Sequence, residues 1–227
     1  MSGATSQAAP PRLSLLEIAI MLLVAGAVPV ASYLRWLPIP VTEAWGFATG
    51  GLCVWLVVRE NVWNWPIGLA NNVVFFVLFL QSRLFADMGL QVLYFGLGLY
   101  GWLNWLFGGA QHTPLKISRT TRAEWVVLAL AIPLGTWALS AILIAVNGAA
   151  PFWDALTTIL SIAAQYLLCR KRLENWYLWI AADIIYVPLY VSRDLVLTGV
   201  LYAVFLVMCL VGLGGWSRTW RYEGRAG

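Results

Sequence analysis

The 227-residue sequence predicts an all-α integral membrane protein with about eight transmembrane helices. Hydrophobic residues make up 61% of it and charged residues only 11%, whereas a soluble domain carries about a quarter charged residues to cover its wet surface. The apolar residues come in blocks of about 20, the length that spans ~30 Å of hydrocarbon at ~1.5 Å per residue. The third observation is sidedness. Of the Lys and Arg between blocks, eleven fall on one side and three on the other, the asymmetry that orients membrane helices.

The blocks are justified in chain order. A small polar tail (1–11) and Arg12 precede the first, 14–35, whose apolar run is long for a cleaved leader; it is read as an extra N-terminal helix. Blocks 43–59, 62–81 and 84–107 follow, then 123–147, 152–170, 174–192 and 194–216. Pro66 falls in the first turn of its block, where a missing N–H is harmless. Arg12, Arg59, the Lys116–Arg122 loop, Arg170–Arg172 and the Arg218–Arg225 end form the basic side; Arg35, Arg83 and Arg193 form the other. Removing any block would mix the two sets. The pattern therefore predicts one membrane domain over 1–227 with both termini cytoplasmic, and it accounts for the net charge of +4 without nucleic acid. Cys53, Cys169 and Cys209 lie in apolar segments without CxxC spacing and read as small buried side chains. His112, the only histidine, lies in a loop, which argues against histidine catalysis and a zinc site, and no cofactor is expected.

An internal repeat organises the blocks. A shift of 111 residues aligns WLVVRENVWNWPIG (55–68) with YLLCRKRLENWYLW (166–179). It places Arg59 on Arg170, Asn64 on Asn175, Trp65 on Trp176, Asn72 on Asp183 and Phe75 on Tyr186. Gly101 falls on Gly212 and Trp105 on Trp216, while QSRL (81–84) meets VSRD (191–194) only with a one-residue slip. Two three-helix repeats, 43–107 and 152–216, are thus joined by a linker helix, 123–147. An even number of crossings separates equivalent points, so the copies are parallel about an axis along the membrane normal, and a substrate would sit between them near the midplane.

Polar residues at helical spacing mark the inward faces. The sixth block carries Asp154, Thr157, Thr158, Ser161 and Gln165 on one stripe; hydroxyls there also serve as interhelical glue, but the Gln165 amide brings two donors and an acceptor that need partners. The fourth block carries Gln91, Tyr94, Phe95, Gly98, Trp102 and Trp105. Trp102 and Trp105 fit an interfacial aromatic belt, and Gly96, Gly98 and Gly101 would admit a neighbouring backbone. In the seventh, Trp176, Trp179, Asp183, Tyr186 and Tyr190 share a face, with Asp183 near mid-span. A carboxylate there costs ~2.5–3.5 kcal/mol on insertion scales and marks a functional site by default, unless a tyrosine hydroxyl simply locks it. Asn71 and Asn72 also need partners inside an apolar helix. Fourteen tryptophans exceed what interface belts require; they suit stacking on a flat ring, and a cationic ring gains ~2 kcal/mol or more when desolvated. A small planar, polar solute, neutral or cationic, is what these faces would pass.

NVWNWPIG (61–68), LQVLYFGLGLYGWLNW (90–105) and ENWYLWIAADIIYVPLY (174–190) together resemble the PnuC-type nicotinamide riboside (vitamin B3) transporters, a family related to SWEETs, over roughly 43–216. The resemblance implies uniport of nicotinamide riboside by facilitated diffusion and alternating access through the bacterial inner membrane, and a homotrimer. Related members for thiamine or riboflavin make another aromatic vitamin the alternative cargo. The residues agree on charge, since no Lys or Arg lies at mid-span to pair with a phosphate. The ligand is expected on Gln91, Trp179, Asp183 and Tyr186, then on Asn71, Asn72, Tyr94, Gln165 and Tyr202. An intramembrane enzyme is the distant alternative; it would need clustered catalytic groups, and Asp183 is the one deep carboxylate.

Overall fold

The computed structural model describes residues 13–81, 85–147, 150–192 and 196–226. The tail, Arg83 and Arg193, and the register slip expected around those two arginines lie outside the described residues. Among the described residues there are eight α-helices: α1 (Leu15–Tyr33), α2 (Val41–Val58), α3 (Asn64–Gln81), α4 (Phe85–Phe107), α5 (Arg122–Ala145), α6 (Pro151–Cys169), α7 (Asn175–Val191) and α8 (Val196–Ala226). Each expected block is met by one helix. The largest difference is α8, which continues to Ala226 rather than ending at 216. No proline interrupts that polar stretch, and Trp220 holds it by taking the Arg119 guanidinium over its ring at 5.4 Å. Among the described residues α1, α5, α6 and Thr198–Glu223 of α8 are long and apolar enough to cross a membrane on composition alone.

Local chemistry explains the helix boundaries. Ser14 starts α1 and Thr121 starts α5 through capping boxes with Glu17 and Glu124, each satisfying amides that the first turn leaves free. Pro151 begins α6, where its fixed φ suits a first turn. The ends of α2 and α6 are built alike. Asn61 N donates to Leu56 O and Glu60 N to Val57 O, and Arg172 N to Leu167 O and Lys171 N to Leu168 O. This double bond pattern needs a left-handed residue just past the helix, usually glycine. Glu60 (φ 53°) and Lys171 (φ 50°) take that place instead. Their side chains explain why: Lys171 Nζ lies 3.0 Å from Glu60 Oε2, and both are largely buried.

Residues 111 apart repeat the same contacts. Trp105 Nε1 donates to Leu168 O at 2.9 Å, and Trp216 Nε1 donates to Val57 O at 3.0 Å. Each indole thus crosses from one half of the bundle to the other, on to the carbonyl that already closes the turn. Trp65 stands edge-on to Trp105 at 5.5 Å, as Trp176 does to Trp216. A Cβ on Gly101 would overlap the Trp65 ring, and one on Gly212 the Trp176 ring. The Asn64 and Asn175 amides donate to Asn61 O and Arg172 O. In keeping with these pairs, α2 packs on α8 and α4 on α6.

Two sequence expectations change here. Trp105 is 4% exposed and belongs to the core, not to an interfacial belt; its N–H has a carbonyl partner that a belt position would not supply. The α4 glycines admit side chains rather than a neighbouring backbone, with Leu69 against Gly98 and Trp65 against Gly101, while Gly96 faces open space.

The same end of the bundle is tied by charge. Glu174 accepts from the Thr120 amide (2.7 Å) and hydroxyl (2.8 Å) and from Arg119. Glu124 holds Arg170 and Arg172, each at 3.1 Å. Burial works to raise the Glu174 carboxyl, but the Thr120 and Arg119 hydrogen bonds prevail and hold it below the ordinary carboxylate value.

Candidate substrate site

The site is built around the middle of α7. Asp183 is 4% exposed, and its Oδ2 accepts from the Cys209 thiol of α8 at 3.5 Å. The lock is therefore a thiol, a weak donor, and not the tyrosine hydroxyl the sequence suggested. Small residues let the helices close around this point: Ala164 of α6 and Ala182 of α7 are fully buried.

One and two turns beyond Asp183, Tyr186 and Tyr190 enter an aromatic stack. Tyr202 of α8 lies 4.5 Å from Tyr186 and 5.1 Å from Tyr190, the latter pair stacked nearly parallel at 9°. Phe205 closes the row edge-on to Tyr202 at 5.8 Å. The Tyr94 hydroxyl of α4 interacts electrostatically with Ser161 of α6 and with Tyr186. Trp179 packs between two buried clusters, one of tryptophans and one of α6 and α7 aliphatics. Asp183, Tyr186, Tyr94 and Tyr202 are thus brought together, with Trp179 one turn along α7.

Three amides, Asn72, Gln91 and Gln165, are half-buried and make no hydrogen bond with another described residue. Asn71 pairs with α2. Its Oδ1 accepts from Thr49 at 3.1 Å, and it lines a furrow of about 450 Å³ between α2 and α3 with Trp45, Trp63 and Phe75. On α6, Thr157 is spent on its own helix, donating to Trp153 O at 2.9 Å. Cys209 and Tyr190 are the residues that sequence reasoning passed over as site members. The face rule could have found Tyr190; nothing in the sequence marks Cys209 as the neighbour of Asp183.

The equivalence of positions 111 apart separates scaffold from site. The scaffold pairs that make the ring contacts are identical: Trp65 and Trp176, Gly101 and Gly212, Trp105 and Trp216. Pairs at the candidate site differ: Asn72 and Asp183, Phe75 and Tyr186, Gln91 and Tyr202, Tyr94 and Phe205. A ligand without two-fold symmetry, lying on such an axis, requires different chemistry on its two sides.

Comparison with known proteins gives the family. The model of the nicotinamide mononucleotide transporter family matches residues 40–218. The chain belongs to that family. It is a multi-pass membrane transporter and not an enzyme. Curated relatives include the nicotinamide riboside transporter PnuC of Escherichia coli (strain K12), 28% identical over 208 residues, covering 80% of this chain and 87% of the relative. The riboflavin/roseoflavin transporter RibM of Streptomyces davaonensis is 27% identical over 184 residues, covering 79% and 86%. A crystal structure of the vitamin B3 transporter PnuC shares the fold, with TM-score 0.66 and 24% identity over 92% of this chain and 93% of that one.

Proposed function

We propose that this family member carries nicotinamide riboside across the bacterial inner membrane by facilitated diffusion, binding it near the midplane between the halves 43–107 and 152–216. The observation that carries the reading is the aromatic stack of Tyr186, Tyr190 and Tyr202 beside a buried carboxylate, Asp183. A pyridinium ring gains from the faces of such rings and from the carboxylate. The amides of Asn72, Gln91 and Gln165, unpaired among the described residues, suit the carboxamide and the ribose hydroxyls, which cost affinity if left without partners. Asn71, Tyr94 and Trp179 complete the candidate set. Although the family is described by a mononucleotide, no Lys or Arg lies at mid-span, so a phosphate would enter without a counter-charge. The cargo is the riboside.

Transport would proceed by alternating access, one half rocking on the other. Both termini lie in the cytoplasm by the basic-side rule, the two halves are parallel copies as in SWEETs, and the working assembly is a homotrimer. Calorimetry in detergent tests the site: Asp183→Asn and Trp179→Ala should each weaken riboside binding about ten-fold or more, and unchanged affinity in both removes the assignment. The likeness to RibM favours a second reading, an isoalloxazine or another aromatic vitamin as cargo. Competition among riboside, riboflavin and thiamine decides between them.

A further inference from the structure

Away from the candidate site, at the basic end of the bundle, a furrow of about 490 Å³ runs between α2 and α8. Trp55 and Arg59 form one wall, and Val211, Gly214, Gly215 and Arg218 the other. Its lower wall is apolar and outward-facing, with Val207 59% and Leu210 53% exposed. Two glycines keep the floor clear: an added Cβ on Gly214 would meet nothing within 4 Å, and one on Gly215 only Val58 O at 4.0 Å.

The charges at its head are unbalanced. Arg59 shares Glu17 of α1 at 3.3 Å, but its Nε is buried without a partner among the described residues. Arg218 pairs with none of the described residues. Two guanidiniums thus line one furrow, and among the described residues only Arg59 has a carboxylate partner. A buried N–H left unmade is costly, ~1–3 kcal/mol, and a phosphate is the group whose oxygens meet two planar forks at once.

The other half of the bundle supplies an internal control. The positions 111 residues away from Gly214, Gly215 and Arg218 are Leu103, Asn104 and Phe107. There Asn104 donates to Cys169 O at 2.8 Å, and Arg170, the counterpart of Arg59, is taken by Glu124 and Tyr166. The scaffold is repeated, but the two glycines and the unsatisfied guanidinium groups are not. Chemistry found at one of two equivalent places is a feature of those residues, not of the fold.

We propose that the α2/α8 furrow binds an anionic phospholipid, with the phosphate between Arg59 and Arg218 and an acyl chain along Gly214, Val211 and Val207. Basic pockets between transmembrane helices are the places where anionic headgroups dock. The lipid would sit next to the Trp216–Val57 bond that joins the two halves, and so bias their relative movement.

Delipidated protein in neutral detergent tests this, by melting temperature and native mass spectrometry with added phosphatidylglycerol, phosphatidylcholine or inorganic phosphate. Phosphatidylglycerol alone should raise the melting temperature and remain as an adduct. Arg218→Gln, which breaks no pair among the described residues, should cut that lipid's affinity at least ten-fold and leave riboside affinity unchanged. Gly214→Leu, the residue of the other half, should do the same with both arginines in place. Equal response to phosphatidylcholine, a full response to phosphate alone, or an unaltered response in both variants overturns the proposal. So does a change of oligomeric state in Gly214→Leu with lipid binding intact, which would make the furrow a contact between copies.

Discussion

Gly101 and Gly212 show how one residue sets the approach of two helices. Each receives a tryptophan ring where a methyl group would stand. Gly101→Ala should lower stability by about 1–3 kcal/mol through overpacking, more than the ~0.5–1 kcal/mol that alanine gains inside a helix. Gly96→Ala, which meets nothing within 4 Å, keeps the gain alone. Thermal unfolding of the two variants in detergent should therefore move in opposite directions, and parallel shifts would discredit the packing argument. At this scale the sequence was legible for Asp183, because a carboxylate amid apolar residues needs a reason wherever it sits. It was not legible for Trp105. A tryptophan near a helix end suits a wet interface or a dry core equally, and only the carbonyl of Leu168 distinguishes them.

At the scale of elements, the α2 and α6 ends form one device used twice. Each closes with a left-handed residue whose neighbouring carbonyl accepts an indole from the other half. Glu60 and Lys171 occupy equivalent places with opposite charge, so the ion pair lies across the repeat axis. Glu60→Lys should cost on the order of 2 kcal/mol, since it leaves two largely buried cations facing each other. Lys171→Glu should cost a similar amount. Exchanging both should restore most of the loss, measured as a coupling energy in a double-mutant cycle; simple additivity would mean that the pair contributes nothing. Trp105→Phe tests the other half of the device. It removes one indole bond and should cost about 1 kcal/mol, less than a core truncation, because Leu168 O keeps the Lys171 amide. These contacts are invisible in periodicity. The shift of 111 predicted that equivalent residues exist, not that they reach across to each other.

Across the whole molecule, the basic end is closed by tryptophans and ion pairs, while the candidate site is held by a thiol and by stacked rings. The closure depends on pH through Glu174. Its folded-state affinity for a proton is lowered, so the stability it contributes is present above its ordinary value of 4.5 and is lost as pH falls through the lower folded value. Melting temperature should therefore drop as the pH is taken below about 4.5. Glu174→Gln should flatten that part of the profile, and an unchanged slope would assign the acid sensitivity elsewhere.

The sequence by itself determined the eight helices, the sidedness of charge and the equivalence of positions 111 apart. Each is a one-dimensional property, set by block length, loop composition and identity at a fixed shift. Tertiary structure decided which of the equivalent residues are scaffold and which line the candidate site. Trp216 finds Val57 and Cys209 finds Asp183 only once the helices pack. It also gave Asn71 a partner in the Thr49 hydroxyl of α2, which donates to its amide oxygen. Helix rotation and tilt are fixed by the summed contacts of neighbours, and no spacing within a single segment encodes them.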